Sequence, residues 1–476
     1  MVSAEVARHD LPRLLLAAPA SGSGKTMVTT GVLAALCARG LEVSPHKVGP
    51  DYIDPGYHAA ACGRPGRNLD VHLVGEQRIV PLLLHGAATP LPADVAIIEG
   101  VMGLFDGSLG GEGYASSAHV ATLTATPVVL VVNCASASRS VGATVLGFAR
   151  FDADVTVAGV ILNNVASPRH EAEVRQAVAG LGIPVVGVIP RLADIVVPSR
   201  HLGLIPAAER RPEALEAVAA LAAMAEQYLD LDLMLSLARE APALTGERWS
   251  PEAAVREAGA PTPSGTDDGP LVAVAGGSAF TFGYTEAAEL LRAAGARVVG
   301  VDPVSDELPA GLDALVIPGG FPQVYAGSLA ANTAMRQSVR AFARAGGPIV
   351  AECAGLLYLG ESLDGAEMCG VLPITAAMSP KLTLGYRRAV AACDSVLAAQ
   401  GECVTGHVFH RTRVTPVGDG AGTRAAWRLE DHQGQVEMEG LVADSGSVHA
   451  SYLHTHWAGN PRLPVRFVAA ARGEAR

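Results

Sequence analysis

Five short, uninterrupted apolar runs constrain this chain more than any other feature: Leu14–Ala18, Val95–Ile98, Val128–Val132, Val157–Leu162 and Val185–Ile189. Runs of this length suit strands buried on both faces, as in a parallel sheet covered by helices. The stretches between them are Ala-rich and compatible with helices, so the pattern predicts a parallel α/β sheet. From about Ala207 to Arg239 the pattern turns helical. Residues 241–270 then collect Pro, Gly, Ser, Thr and Asp without a sustained period, which predicts a linker. A second block restarts with strands expected at Leu271–Ala275, Val298–Val301, Leu315–Ile317 and Ile349–Ala351, and helices expected near 285–294 and 333–345. A chain of 476 residues exceeds one compact core. The expected organisation is therefore a domain over 1–240, a linker over 241–270 and a second α/β domain over 271–476.

Composition removes several classes of function. Hydrophobic residues at 49% and charged residues at 17% describe a chain that folds. A net charge of -12 disfavours attraction to nucleic acid or to anionic membrane, so neither is expected as a partner. The longest apolar runs fall far short of the ~20 residues that span a bilayer. Arg8, Arg13 and the segment Leu14–Ala20 imitate a signal peptide, but cleavage there would sever a strand from the loop it presents. Seven scattered cysteines, from Cys37 to Cys403, form neither a disulfide framework nor a Cys-x-x-Cys metal pair. The expected compartment is the cytoplasm.

Ser21, Gly22, Ser23, Gly24, Lys25 and Thr26 follow a predicted strand and open a predicted helix. Such a loop cradles phosphates: glycines admit the backbone N–H groups, Lys25 reaches the β and γ oxygens, and the Thr26 hydroxyl can coordinate Mg²⁺. The strict motif carries Gly where this chain has Pro19. Acidic residues follow other strands. Asp51 and Asp54 lie in the segment from Lys47 to Pro55; Glu99 ends the strand Val95–Ile98, with Asp106 just beyond it. Ligands of open parallel sheets collect at the carboxyl ends of the strands, where Glu99 would face the phosphates as a Mg²⁺ ligand.

Cys353 sits between the apolar run Ile349–Ala351 and a small-residue helix start. A sharp strand-to-helix turn exposes such a thiol, and nearby N–H groups, including those of Gly319 and Gly320 after another strand, can stabilise an oxyanion. Candidate bases are His407, His410, His449, His454 and His456, and no cysteine or carboxylate completes a zinc set among them.

Taken together, these motifs resemble the cobyrinic/hydrogenobyrinic acid a,c-diamide synthases of corrin biosynthesis, over roughly Leu14 to Gly459. The resemblance implies an N-terminal P-loop parallel-sheet domain similar to dethiobiotin synthetase, fused to a C-terminal α/β domain similar to the class I glutamine amidotransferases. It implies ATP, Mg²⁺, glutamine and a corrinoid as ligands, and acyl phosphate formation followed by attack of ammonia released at Cys353. Cys353 then looks like the glutaminase nucleophile and His454 like its base. His456 stands where many class I glutaminases carry Glu, so a Cys–His dyad is expected. Pro19 is a variant the family itself carries. Lys47 and Asn163 fall to the nucleotide, Asn163 as a reader of adenine. Asp51, Tyr52, Asp54, Glu99 and Asp106 fall to the substrate carboxylate and Mg²⁺ region. The Ala-, Arg- and Gly-rich usage leans to the metal-free ring, and a homodimer is the default assembly. Three rivals are a cobyric acid synthase amidating other side chains, a P-loop switch ATPase with a non-catalytic C-terminal module, and an enzyme amidating a cell-wall lipid precursor, which would favour separate subunits and membrane-binding features. The segment from Gly49 to Asp54 argues against the first, and Cys353 against the second.

Overall fold

The computed structural model describes residues 7–192, 199–200, 203–204, 207, 211–260, 268–418 and 421–474. The chain divides into two compact units, residues 1–71 with 75–249, and residues 72–74 with 250–476.

In the first unit the five apolar runs become β1 (Arg13–Ala17), β4 (Val95–Glu99), β5 (Val128–Asn133), β6 (Val157–Val165) and β7 (Val185–Pro190). Two further strands, β2 (Val43–Val48) and β3 (Arg67–Leu69), carry polar residues that hide them from an apolar-run reading, yet both are buried throughout. The seven strands run in parallel in the order β3-β2-β4-β1-β5-β6-β7. This order puts β1 in the middle, flanked by β4 and β5, so the loops leaving β1 and β4 emerge side by side. Helix α1 (Lys25–Ala38) follows β1, and α2 (Asp54–Cys62) follows β2. The helical stretch read from Ala207 is α3 (Arg211–Tyr228) followed by a helix over Leu231–Arg239; residues 208–210 lie outside the described residues. Asp230 separates the two helices by accepting a hydrogen bond from the Leu233 amide. The stretch 241–270 carries more order than a linker. Leu244–Thr245 pairs with Arg8–His9, and a helix over Pro251–Glu257 is capped by Ser250, whose hydroxyl accepts from the Ala253 amide. Residues 261–267 of that stretch lie outside the described residues.

The second unit begins with parallel strands β8 (Leu271–Ala275), β9 (Arg297–Val301), β10 (Ala314–Ile317) and β11 (Ile349–Glu352), in the order β9-β8-β10-β11. After β11 come helix α4 (Ala354–Leu359) and the antiparallel strands β12 (Ile374–Ala391), β13 (Cys403–Pro416), β14 (Thr423–Glu430) and β15 (Val436–Ala443). The chain then returns as β16 (Val448–Ser451), which pairs in parallel with β11, and the short β17 (His454–Thr455), which pairs with β13. Among the described residues, no helix is long and apolar enough to cross a membrane.

Arg13 shows how the first sheet is closed around its central strand. It is fully buried and donates to the carbonyls of Leu11, Thr124, Ala125 and Pro242 and to the Thr126 hydroxyl. Burial pulls its guanidinium down to about 10, which leaves it charged. Arg13→Met would strand these acceptors without donors. The expected cost is about 2–4 kcal/mol, read as a lower urea midpoint at unchanged m-value.

Candidate active site

The phosphate loop is built by the way β1 hands over to α1. Gly24 precedes α1 at φ +89°, and a Cβ there would also strike the Asn163 amide nitrogen, so only glycine fits. Ser21 and Gly22 are exposed at the crest, and the Ser23 hydroxyl donates to the Ala20 carbonyl at 2.8 Å. Lys25 is buried, with its ammonium on the Met102 carbonyl at 3.0 Å. The Asn163 side chain braces the loop from β6. Its amide nitrogen donates to the Ser23 carbonyl at 2.9 Å, and its oxygen accepts from the Asn164 amide.

Beneath the loop lies a dry cluster of charge. Lys47, at the end of β2, donates to Asp54 Oδ2 at 2.6 Å, Glu99 Oε1 at 2.9 Å and the Gly100 carbonyl at 3.1 Å. Thr26 Oγ1 lies 2.6 Å from Glu99 Oε1 and 3.2 Å from Asp54 Oδ2. His58 Nε2 donates to the other Glu99 oxygen at 2.7 Å. Burial works to raise the Glu99 carboxyl, but Lys47 and His58 together hold it well below the ordinary range. Asp54 is pushed the other way, upward, by burial and by the like charge of Asp51 and Glu99, with Lys47 opposing. Lys47 itself is raised: burial works against its charge, and the three carboxylates outweigh burial.

The donor set fits a small hard cation. Thr26, Glu99 and Asp54 bring a hydroxyl and two carboxylates to one point, and a divalent charge there would relieve the repulsion that raises Asp54. No group of three or more His, Cys, Asp or Glu side chains among the described residues closes a metal cage. The remaining predicted acids are braced by backbone. Asp51 accepts from the amides of Ile53 and Asp54 at the start of α2, and Asp106, exposed, accepts from Gly103. Tyr52 is buried beside Asp51.

In the second unit, Cys353 stands at φ +48°, ψ -99°, a backbone conformation strained for any side chain, between β11 and α4. Its amide donates to the Ser451 carbonyl at 2.7 Å, and its thiol faces the Phe409 carbonyl at 3.8 Å. Burial pushes the thiol up to about 12, while the Ala354 and Gly320 amides pull the other way. Both N–H groups therefore point toward the sulfur. Gly319 lies against the His454 ring, where a Cβ would collide with it, so Gly319 and Gly320 tie the histidine and the thiol to one place. His454 is fully buried, and burial, with His407 and His410 adding to it, pushes its imidazole down to about 3. A cavity of about 430 Å³ in the same unit is lined by Leu356, His410, Thr412, Glu439 and Tyr452 among others, and neither Cys353 nor His454 is in its lining.

The other candidate histidines have structural surroundings. His449 meets the Ser395 hydroxyl at 3.0 Å, His410 stacks on Tyr452, and His456 stacks on Tyr284 with Glu286 at 3.6 Å.

Residues 14–205 match the family model of the CobQ/CobB/MinD/ParA nucleotide binding domain, and residues 271–462 match that of the CobB/CobQ-like glutamine amidotransferase domain. A hydrogenobyrinate a,c-diamide synthase of Thermobifida fusca is 53% identical over 98% of both chains. The chain belongs to the a,c-diamide synthase family. A second member, the hydrogenobyrinate a,c-diamide synthase of Streptomyces coelicolor, is 52% identical over 97% of this chain and 98% of its own. The cobyrinate a,c-diamide synthase of a Synechococcus strain is 38% identical over 96% and 98%. The fold is that of the family: an N-terminal α/β nucleotide-binding domain on a parallel sheet, and a C-terminal α/β glutamine amidotransferase domain.

Three residues of the site escaped the sequence reading. His58 lies four residues after Asp54 on α2, a spacing that puts both on one helix face and could have flagged it. Glu352 adjoins Cys353, and its carboxylate accepts from Thr455, about a hundred residues on. Glu439, pushed up to about 7 by burial and accepting from the Ser451 hydroxyl and the Tyr452 amide, comes from a strand with no local signal.

Removing the cation of the charge cluster leaves the buried Glu99 and Asp54 carboxylates without the ammonium they share. Lys47→Met is expected to destabilise the chain by about 3–5 kcal/mol. Adding Glu99→Gln should recover a large part of that loss, measured by urea unfolding of the two single variants and the pair.

Proposed function

We propose that this chain amidates the a and c acetate carboxylates of a corrin ring, using ATP and glutamine. The observation that carries the reading is the presence in one chain of a phosphate-cradling loop over an acidic, oxygen-lined cluster and a strained thiol turn beside a buried histidine. Names of the most similar relatives favour hydrogenobyrinate, the metal-free ring, over cobyrinate.

The chemistry divides between the two units. In the first, Lys25 and the loop amides hold the ATP phosphates so that a substrate carboxylate oxygen attacks the γ-phosphorus and ADP leaves. Mg²⁺, when bound, would be held by Thr26, Glu99 and Asp54 and would neutralise phosphate charge. Lys47 keeps Glu99 and Asp54 in place. Asn163 retains one amide hydrogen and one oxygen lone pair beyond its bonds to the loop, which suits an adenine edge. We assign Asp51, Tyr52 and Asp106 to the substrate side, because their loops leave the carboxyl ends of β2 and β4. In the second unit, the Cys353 sulfur attacks the glutamine amide carbon, and His454 takes the thiol proton and passes it to the departing ammonia. Water then hydrolyses the thioester to glutamate. Ammonia attacks the acyl phosphate carbon, phosphate leaves, and the amide remains.

Cys353→Ala should abolish glutamine-dependent amidation and leave ammonia-dependent amidation near the level of the unaltered enzyme. The measurement is corrinoid product by mass spectrometry, with glutamine or with ammonium chloride as nitrogen source. Glutamine-dependent product from the variant would refute the assignment of Cys353. ATP hydrolysis indifferent to any corrinoid would favour a switch ATPase instead.

A further inference from the structure

We infer that Glu352, the residue immediately before the thiol, is the carboxylate that positions His454 and balances its charge when it takes up the proton. This rests on the proposed roles of Cys353 and His454.

The argument begins with an energetic gap. A thiol pushed up to about 12 and an imidazole pushed down to about 3 rest as a neutral pair, and the same burial opposes the imidazolium that the reaction must form. A dry imidazolium needs a nearby anion. Two residues beyond His454 the chain offers His456, whose own partner is Glu286 and whose ring is committed to Tyr284. The carboxylate comes instead from β11. Glu352 and Ser451 are register partners on the parallel pair β11 and β16, and the chain past Ser451 continues into β17, whose Thr455 meets the Glu352 carboxylate. Glu352 Oε1 accepts from both the Thr455 amide, at 3.1 Å, and the Thr455 hydroxyl, at 2.7 Å. That clamp leaves Oε2 facing His454 Nδ1 at 3.8 Å. Trp457 donates to the same Thr455 hydroxyl at 3.1 Å and fixes it from behind. The Glu352 side chain is only 16% exposed, so its charge is little screened.

A carboxylate on Nδ1 selects the tautomer with its proton there, which leaves the Nε2 lone pair for the thiol proton. The resting separation of 3.8 Å is one that a forming imidazolium would shorten. The titratable groups around the pair are Cys353 on the same turn, His407 and His410 on β13, Tyr452, and Glu439 on β15. The other carboxylate among them, Glu439, accepts from the Ser451 hydroxyl and the Tyr452 amide instead. Burial pushes the Glu352 carboxyl up to about 7, with the Thr455 bonds opposing. Its anionic form therefore dominates above about 7 and is lost as the pH falls through that value.

The test is glutaminase kinetics of Glu352→Gln in the full chain. Glutamine keeps an oxygen for the Thr455 clamp but carries no charge, so it separates positioning from anchoring. The expected result is a fall in kcat of at least about 100-fold at little-changed KM, with loss of the rise in kcat through pH 7. Ammonia-dependent amidation serves as the control for folding. Unaltered kcat and pH profile in Glu352→Gln, with Glu352→Ala impaired, would reduce Glu352 to a structural anchor and overturn the inference. Glutaminase activity surviving in Cys353→Ala would instead overturn the reading on which it rests. The unaltered protein gives a second readout: ¹⁵N spectra of His454, assigned through His454→Gln, should show the proton on Nδ1. A proton on Nε2 would contradict the inference without recourse to any variant of Glu352.

Discussion

A parallel strand that ends in a sheet and enters a helix leaves the helix's first N–H groups without partners in the chain. Both sites use those groups. At the end of β1 the turn is made by Gly24 at φ +89°, and the helix start it opens is the element a phosphate would meet. At the end of β11 the same turn is made by Cys353 at φ +48°, and the amide of Ala354 faces its sulfur. Glycine relieves the backbone in the first case. In the second the strain stays, held by the amide bond from Cys353 to Ser451 and by the packing of α4, all of whose residues are buried.

The two sites solve the problem of charge in dry protein differently. The cluster around Lys47 is charged at rest, with Glu99 kept anionic by an ammonium and an imidazole that both touch it. This is an environment prepared for ATP, whose phosphates bring their own charge. At the second site the Cys353 thiol and the His454 imidazole are neutral at rest, held so by burial. In the proposed reaction such a neutral pair calls for its stabilising groups to be in place beforehand: the Ala354 and Gly320 amides toward the sulfur and the carboxylate of Glu352 toward the histidine.

How much of this was legible in the sequence follows from locality. The phosphate loop and the thiol turn are contiguous segments in which strand, turn and helix signals adjoin, so the order of neighbouring residues suffices to place Lys25, Thr26 and Cys353. Strands β2 and β3 were hidden because Ser44, His46, Lys47, Arg67 and Asn68 are buried polar residues serving the sheet and the site. The long hairpin of β12 and β13 was hidden because its irregular register between Met378 and Thr383 breaks the alternation that marks a strand. Glu352 stands beside Cys353 in the sequence, but its proposed role depends on Thr455 folding back across it, a contact that no local pattern encodes. The same holds for Asn163, whose bond to the Ser23 carbonyl joins segments 140 residues apart.

The central claim is that a substrate carboxylate is activated as an acyl phosphate on the loop of β1 before ammonia arrives. The most direct measurement uses corrinoid substrate labelled with ¹⁸O in its acetate carboxylates, with mass analysis of the phosphate released. The account predicts that each phosphate carries one labelled oxygen for each amide formed, because the bond that breaks joins the carboxyl carbon to that oxygen. Unlabelled phosphate accompanying full amide formation would contradict it.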